Sequence, residues 1–242
     1  MTKLQADIVA PILGIAMTGR QVVISGGTGA LGRAVVQAFV AAGASVHVPV
    51  RGRAPTDGLA GVRYVPGVDL TDEGAVAGFY GGLPDGLWAS VHVAGGFAMA
   101  GITDTTLADL RAQLDMNLTS AFLCCREAVR RFRLRAGAGG RLVNVASRAA
   151  LQPAGGKTAY TLAKTGVVAL TQALADELAG EGILVNAVAP GTIDTAANRA
   201  AMPAADAGRF VPPEDIASVI LWLASPDNAV GSGAVIPVYG RS

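Results

Sequence analysis

The sequence predicts one α/β domain: a doubly wound, mostly parallel sheet of about seven strands with helices on both faces. Three observations predict it. Apolar runs of strand length alternate along the chain with longer stretches of helical periodicity. Most of those runs are continuously apolar, as expected of strands buried on both faces. The 242 residues, 51% hydrophobic and 15% charged, suffice for one large core and fall short of two.

In chain order, strands are expected at 21–25 (QVVIS), 45–50 (SVHVPV), 62–66 (VRYVP), 88–93 (WASVHV), 141–146 (RLVNVA), 183–188 (ILVNAV) and 234–238 (AVIPV). Helices are expected between them, at 30–42, 71–81, about 105–135, 157–180 and 213–224. No tandem repeat, low-complexity linker or composition break interrupts the pattern. Residues 21–242 therefore read as a single domain and residues 1–20 as an appended N-terminal arm.

Several function classes are excluded at this level. Nineteen basic residues oppose eighteen acidic ones, a net charge of +1, so neither nucleic acid nor an anionic membrane is an expected partner. Cys124 and Cys125 are adjacent in a helical stretch and do not make a disulfide framework, which fits a reducing cytoplasm. His47 and His92 are the only histidines, and no cluster has metal-ligand spacing. The apolar run at 8–19 fails as a signal peptide because of Asp7, Pro11 and the lack of a clear cleavage site. The uncharged run 86–103 contains four glycines and His92 and splits into a strand and a loop rather than a membrane span.

In an open parallel sheet, ligands bind beyond the carboxyl ends of the strands, where strand order reverses. The first strand end carries "SGGTGALG" at 25–32, followed by a helix. Gly27, Gly29 and Gly32 make a literal G-x-G-x-x-G in the strand–loop–helix setting that a Rossmann-type dinucleotide site requires. Glycine permits close backbone approach, and the helix N-terminus favours a pyrophosphate. An acidic partner for the ribose 2′-hydroxyl is expected at the end of the second strand, but the chain reads Val50-Arg51-Gly52-Arg53 there. Guanidinium pairs well with a 2′-phosphate, so NADP(H) is favoured, with NAD(H) the alternative.

The fifth strand ends at Ser147, and thirteen residues later "AYTLAK" places Tyr160 and Lys164 at i and i+4 on one helix face. A phenol of ordinary pKa, about 10, is a poor acid–base group at neutral pH. A nearby ammonium and an oxidised nicotinamide would lower it. A serine hydroxyl can hold the substrate oxygen where charge changes. This set suits proton transfer coupled to hydride transfer.

With these residues in view, the chain from about residue 20 onward resembles the single-domain short-chain dehydrogenases/reductases, in particular 3-oxoacyl-acyl-carrier-protein reductase-like members. The resemblance rests on the loop at 25–32, "VDL" with Asp69, "VAGG" at 93–96, "MNL" with Asn117, then Ser147, Tyr160, Lys164 and "PGTIDT" at 190–195. It implies that Tyr160 is the general acid/base, that Lys164 binds the nicotinamide ribose and depresses the tyrosine pKa, and that Ser147 orients the substrate. Asn117 would hold a relay water in a bent long helix. Cofactor contacts are implied for Gly26, Thr28, Gly29, Leu31, Gly32, Arg51, Asp69, Leu70, Ala94, Gly95, Tyr160, Lys164, Pro190, Gly191, Ile193 and Thr195. The activity implied is interconversion of a small-molecule carbonyl and alcohol by a homotetramer or homodimer.

Departures from the family pattern are visible. Ser25 replaces a threonine, Ala30 stands at the middle loop glycine, and Leu70 follows the aspartate where valine is frequent. His92-Val93 replaces two asparagines, and Val238-Tyr239-Gly240-Arg241 stands for "VDGG". They leave a non-catalytic dinucleotide sensor as the alternative reading. A phosphate-binding loop at "PAGGKT" fails because Leu151 occupies the first glycine position. The arginines at 126, 130, 131, 133, 135 and 141 read as a solvated face or subunit contact, or as a dock for an acidic carrier protein.

Overall fold

The computed structural model describes residues 14–135, 137 and 139–240. Seven strands form one sheet: β1 (Gln21–Ser25), β2 (Ser45–Val50), β3 (Val62–Pro66), β4 (Leu87–His92), β5 (Gly140–Val145), β6 (Ile183–Pro190) and β7 (Val235–Val238). All are parallel, in the order β3-β2-β1-β4-β5-β6-β7. The order reverses between β1 and β4, so their carboxyl ends open the crevice where a ligand belongs.

The helices are α1 (Ala30–Ala41), α2 (Glu73–Gly81), α3 (Leu107–Leu114), α4 (Ser120–Arg133), α5 (Arg148–Leu151), α6 (Thr158–Glu177), α7 (Ala196–Ala201) and α8 (Pro213–Ala224). Packing divides them between the two faces. Leu31, Val35 and Phe39 of α1 join Ile216 and Ile220 of α8 in one core cluster against the sheet. Val76 and Phe79 of α2 join Leu123, Ala128 and Phe132 of α4 in a second. Central strands β4 and β5 are buried at every position, so Ser90, His92, Arg141 and Asn144 are buried along with their apolar residues. Ile15 and Met17 lie in the first cluster, and Met17 N donates to Ala42 O at 2.8 Å, so the chain is already packed on the sheet before β1 begins.

The elements follow the expected pattern, with differences that have local causes. The second helix starts at Glu73 rather than 71 because Asp72 caps it, its carboxylate accepting from Ala75 N at 2.6 Å. The long helix expected at about 105–135 runs from Leu107 to Arg133, with a π-helical turn inside it. Thr106 and Asp109 form a capping box at its start, and a π-helical turn, Asp115–Thr119, separates α3 from α4. Helices α5 and α7 were not foreseen; they are four and six residues long, too short to show a period.

The arginine group is largely spent inside the chain. Arg126 pairs with Glu73 at 2.6 Å, Arg130 with Glu127 at 2.7 Å, Arg131 with Asp85 at 3.1 Å and Arg133 with Glu181 at 2.7 Å. Arg141 is no surface charge: it is buried, lies over the Trp88 ring and donates to Asn228 O at 2.9 Å. Among the described residues, no helix is long and apolar enough to cross a membrane and no His, Cys, Asp and Glu group could hold a metal ion. Cys124 and Cys125 are buried free thiols, as the sequence implied.

Candidate active site

The glycine loop leaves β1 at Ser25 and enters α1. Gly26 has φ of +70° and lies so near β4 that a Cβ there would meet Ala94 N at 2.6 Å. A Cβ on Gly32 would stand 2.0 Å from Gly26 O, and one on Gly27 would meet Val48 Cγ1 at 2.9 Å. Gly29 is different: it is the extended N-cap of α1, and a Cβ there would meet nothing nearer than Gly26 O at 3.4 Å. The obligatory glycines are therefore 26, 27 and 32, and the literal G-x-G-x-x-G through Gly29 is not the steric motif. Ala30 is the first residue of α1, where its methyl is compatible with helical backbone. The helix has no side-chain cap and no acidic residue in its first turn. Its unpaired N–H groups and positive end form a cradle of the right kind for a pyrophosphate. Thr28 is exposed beside it, while Leu31 is buried beneath and packs in the core.

At the adenosine end, Arg51 and Arg53 are exposed after β2. Asp69 accepts from Thr71 N at 2.9 Å and Thr71 Oγ1 at 2.8 Å, which holds its carboxyl below the usual range, with a smaller contribution from Arg51. Leu70 packs against the α2–α4 core. Arg33 of α1 clasps Asp57 of the β2–β3 loop at 3.0 Å.

After β4 the chain runs Val93-Ala94-Gly95-Gly96. Val93 N donates to Ser25 O at 3.2 Å and Ala94 N to Ser25 Oγ at 3.4 Å, so Ser25 joins the two strand ends. Asn117 sits in the π-helical turn, buried, and grips Gly96 in both directions: its Oδ1 accepts from Gly96 N and its Nδ2 donates to Gly96 O, each at 3.1 Å. A Cβ on Gly95 would meet Asn117 Oδ1 at 2.6 Å and Lys164 Nζ at 3.3 Å, so only glycine fits between those two polar groups.

Ser147, just past β5, is the extended N-cap of α5, its hydroxyl accepting from Ala149 N at 3.2 Å. Tyr160 and Lys164 lie one turn apart on α6. Lys164 is buried and donates from Nζ to Val145 O at 2.8 Å; burial draws its pKa down to about 8. The Tyr160 ring meets Phe97 edge to face, with centroids 4.9 Å apart. Burial raises the phenol pKa, and the Ser147 hydroxyl opposes the rise less strongly. The net direction is the reverse of the lowering expected from Lys164, because desolvation favours the neutral phenol.

The β6 end completes the crevice. Pro190 ends the strand, and Gly191 N donates to Val238 O at 2.9 Å. Ile193 bridges to Val211, and Thr195 caps α7 by accepting from Asn198 N at 3.1 Å.

His92 does not face this crevice as a proton donor. It is buried inside a hydrogen-bond chain whose polarity can be worked out from one end. Thr171 Oγ1 donates to Val167 O (2.8 Å), so it accepts from Asn144 Nδ2 (2.9 Å). Asn144 Oδ1 is thus the acceptor toward His92 Nδ1 (2.7 Å), which carries the proton. His92 Nε2 then accepts from Ser90 Oγ (2.9 Å), and Ser90 accepts from Tyr80 OH (2.7 Å). Burial lowers the His92 pKa to about 4, consistent with a neutral ring. His92 with Asn144 locks neighbouring strands together, so its replacement of an asparagine is a structural substitution.

The family model described as enoyl-(acyl carrier protein) reductase matches residues 26–240 of the chain. The chain belongs to the short-chain dehydrogenase/reductase family. It is 32% identical over 232 residues to the 3-oxoacyl-[acyl-carrier-protein] reductase MabA of Mycobacterium bovis, covering 91% of this chain and 92% of that protein. It is 30% identical over 248 residues to the 3-oxoacyl-[acyl-carrier-protein] reductase FabG of Chlamydia pneumoniae, covering 93% and 98%. A solved short-chain type dehydrogenase/reductase from Mycobacterium ulcerans superposes with a TM-score of 0.84 at 29% identity, covering 94% of this chain and 90% of that one. This short-chain dehydrogenase/reductase is thus an oxidoreductase of a family that binds NAD(P), with the Rossmann-like sheet expected from its sequence.

Sequence reasoning placed Gly27 in the loop motif without its steric reason, and it did not pick out the Phe97–Tyr160 contact. The steric need for Gly27 comes from Val48 on another strand, and the ring contact joins residues 63 positions apart in the chain. The Val145 carbonyl that holds Lys164 is main chain and leaves no mark in the sequence.

Proposed function

We propose that this oxidoreductase interconverts a carbonyl and a secondary alcohol, with NADP(H) preferred and Tyr160 as general acid/base. The observation that carries the reading is the convergence of Ser147, Tyr160 and Lys164 at the carboxyl end of β5, beside a glycine cradle at the end of β1. The residues fit a dinucleotide. The uncapped α1 N-terminus suits the pyrophosphate, the Gly95 gap flanked by Asn117 and Lys164 suits the nicotinamide ribose, and Arg51 suits a 2′-phosphate. When bound, the reduced cofactor supplies the hydride to the carbonyl carbon.

The protein's own residues handle the proton. Ser147 donates a hydrogen bond to the carbonyl oxygen and fixes its position. Tyr160, kept protonated by burial, gives its proton to that oxygen as negative charge develops there. Lys164, anchored on Val145 O, would hold the nicotinamide ribose when the cofactor is bound. Asn117 holds the Gly96 backbone, beside the Gly95 gap, in place. The similarity to 3-oxoacyl-acyl-carrier-protein reductases makes 3-oxoacyl thioesters the first substrates to assay. Exposed Phe122 on α4 and Leu162 on α6 support assembly as a homodimer or homotetramer.

The test is Tyr160→Phe. NADPH binding, followed by fluorescence titration, is expected to stay within about twofold, while kcat falls by at least about two orders of magnitude, the scale of general acid catalysis. Near-normal turnover would refute the role of Tyr160. Tight NADPH binding by the wild type without reduction of any ketone or thioester would favour the sensor reading.

A further inference from the structure

We propose that Phe97 is the specificity-determining residue of the Tyr160 site, an aromatic wall that selects carbonyl substrates whose carbonyl adjoins a flat apolar group such as an aryl ring. The inference rests on the carbonyl-reductase reading above and adds the substrate class.

The geometry is specific. The Phe97 ring meets the Tyr160 ring edge to face, with centroids 4.9 Å apart and planes at 87°. A carbonyl receiving the phenol proton must bring its substituents alongside that pair. Phe97 is nonetheless 58% exposed, so its remaining ring surface is presented to solvent. A large aromatic surface beside a reacting hydroxyl gains free energy when a substrate covers it.

The wall is held in place before any substrate arrives. Gly96, the preceding residue, is fixed by both of its backbone hydrogen bonds to Asn117, at 3.1 Å each. Three residues on, Ala100 N donates to Gly156 O at 3.0 Å, tying the segment to the loop just before α6 and Tyr160. Phe97 therefore sits on a short span pinned at both ends, and little ordering cost remains to be met on binding. Its surroundings are apolar: Met99 is 63% exposed with its Cε at the Gly156 loop, and Leu151 ends the short helix that Ser147 caps. The sequence from 86 to 103 carries no Asp, Glu, Lys or Arg, so this wall offers an anionic substrate no ionic partner.

The experiment compares wild type, Phe97→Ala, Phe97→Leu and Tyr160→Phe in NADPH-dependent reduction of an aryl methyl ketone and of a small aliphatic ketone. The readout is the ratio of kcat/KM for the aryl ketone to that for the aliphatic one. An aromatic contact of this kind predicts a fall of about three- to tenfold in that ratio for Phe97→Ala, carried mainly by KM of the aryl ketone. Phe97→Leu is expected to fall between Phe97→Ala and wild type, because it restores apolar area without the ring. Thermal melts accompany each variant; Phe97 is exposed, so the folded state should survive truncation. An unchanged ratio, or equal loss on both ketones, overturns the assignment of Phe97 while leaving the reductase reading intact, provided Tyr160→Phe is inactive. A wild type that reduces neither ketone nor a 3-oxoacyl thioester overturns the reductase reading, and the Phe97 assignment falls with it.

Discussion

Replacing Lys164 by methionine is expected to stabilise the protein while destroying its activity. The ammonium is buried, and burial lowers its pKa from 10.5 to about 8. The unfolded chain keeps the proton up to about pH 10.5, whereas the folded chain releases it near 8. Stability is therefore lost as pH falls from 10.5 to 8, and the full penalty is present at neutral pH. At about 1.4 kcal/mol per pKa unit, the shift corresponds to about 3 kcal/mol. Methionine matches the stem in length and apolarity but forfeits the hydrogen bond to Val145 O, worth about 1 kcal/mol. The net expectation at pH 7 is a variant more stable by about 2 kcal/mol. Urea denaturation of both proteins without cofactor, followed by circular dichroism at pH 7 and pH 10, measures it. The difference should shrink or reverse by pH 10, and turnover should fall by at least about a hundredfold. A variant less stable than wild type at pH 7, or a gain that does not decline with pH, would refute the argument that burial of this charge is a net cost.

Two further outcomes follow from the same structure. His92 stays neutral in the fold down to a pKa of about 4, against 6.5 for an ordinary histidine, so stability is lost as pH falls from 6.5 to 4, by up to about 3 kcal/mol. His92→Asn should flatten the wild-type decline between pH 7 and 4 in urea titrations; an unchanged slope would place the acid sensitivity elsewhere. Arg51→Ala is expected to weaken NADPH binding about tenfold and NADH binding much less, read by fluorescence titration. Equal weakening of both would remove the 2′-phosphate role.

The strands were legible because most of their residues are apolar and the central ones are buried on both faces, and a five- or six-residue run of this kind between turns leaves little choice of structure. The order of Ser147, Tyr160 and Lys164 was legible because a strand end and one helix turn suffice to bring them together. What stayed hidden depends on contacts between distant segments. The π-helical turn at 115–119 widens the helix where Asn117 must reach Gly96, and nothing in "DMNLT" marks that need. The register of the glycine loop was ambiguous because Val48 and Ala94, which make Gly27 and Gly26 obligatory, come from other strands. The role of His92 was uncertain because its partner, Asn144, stands 52 residues away and becomes its neighbour only through β4–β5 pairing.

The direction of the Tyr160 shift bears on how such a site works. A sequence shows a lysine one turn from a tyrosine and implies a lowered phenol pKa by charge alone. In the fold, burial acts on both groups and drives each toward its neutral form: Tyr160 is raised and Lys164 is lowered. If Tyr160 is the general acid/base, its raised pKa means that the phenol enters the step protonated, as carbonyl reduction requires. Alcohol oxidation would ask the same phenol to give up its proton first, against the desolvation that burial imposes. Only an added positive charge beside the ring, or a higher pH, offsets that cost. On the proposed reading, the burial that raises Tyr160 and lowers Lys164 favours the protonated phenol that carbonyl reduction requires.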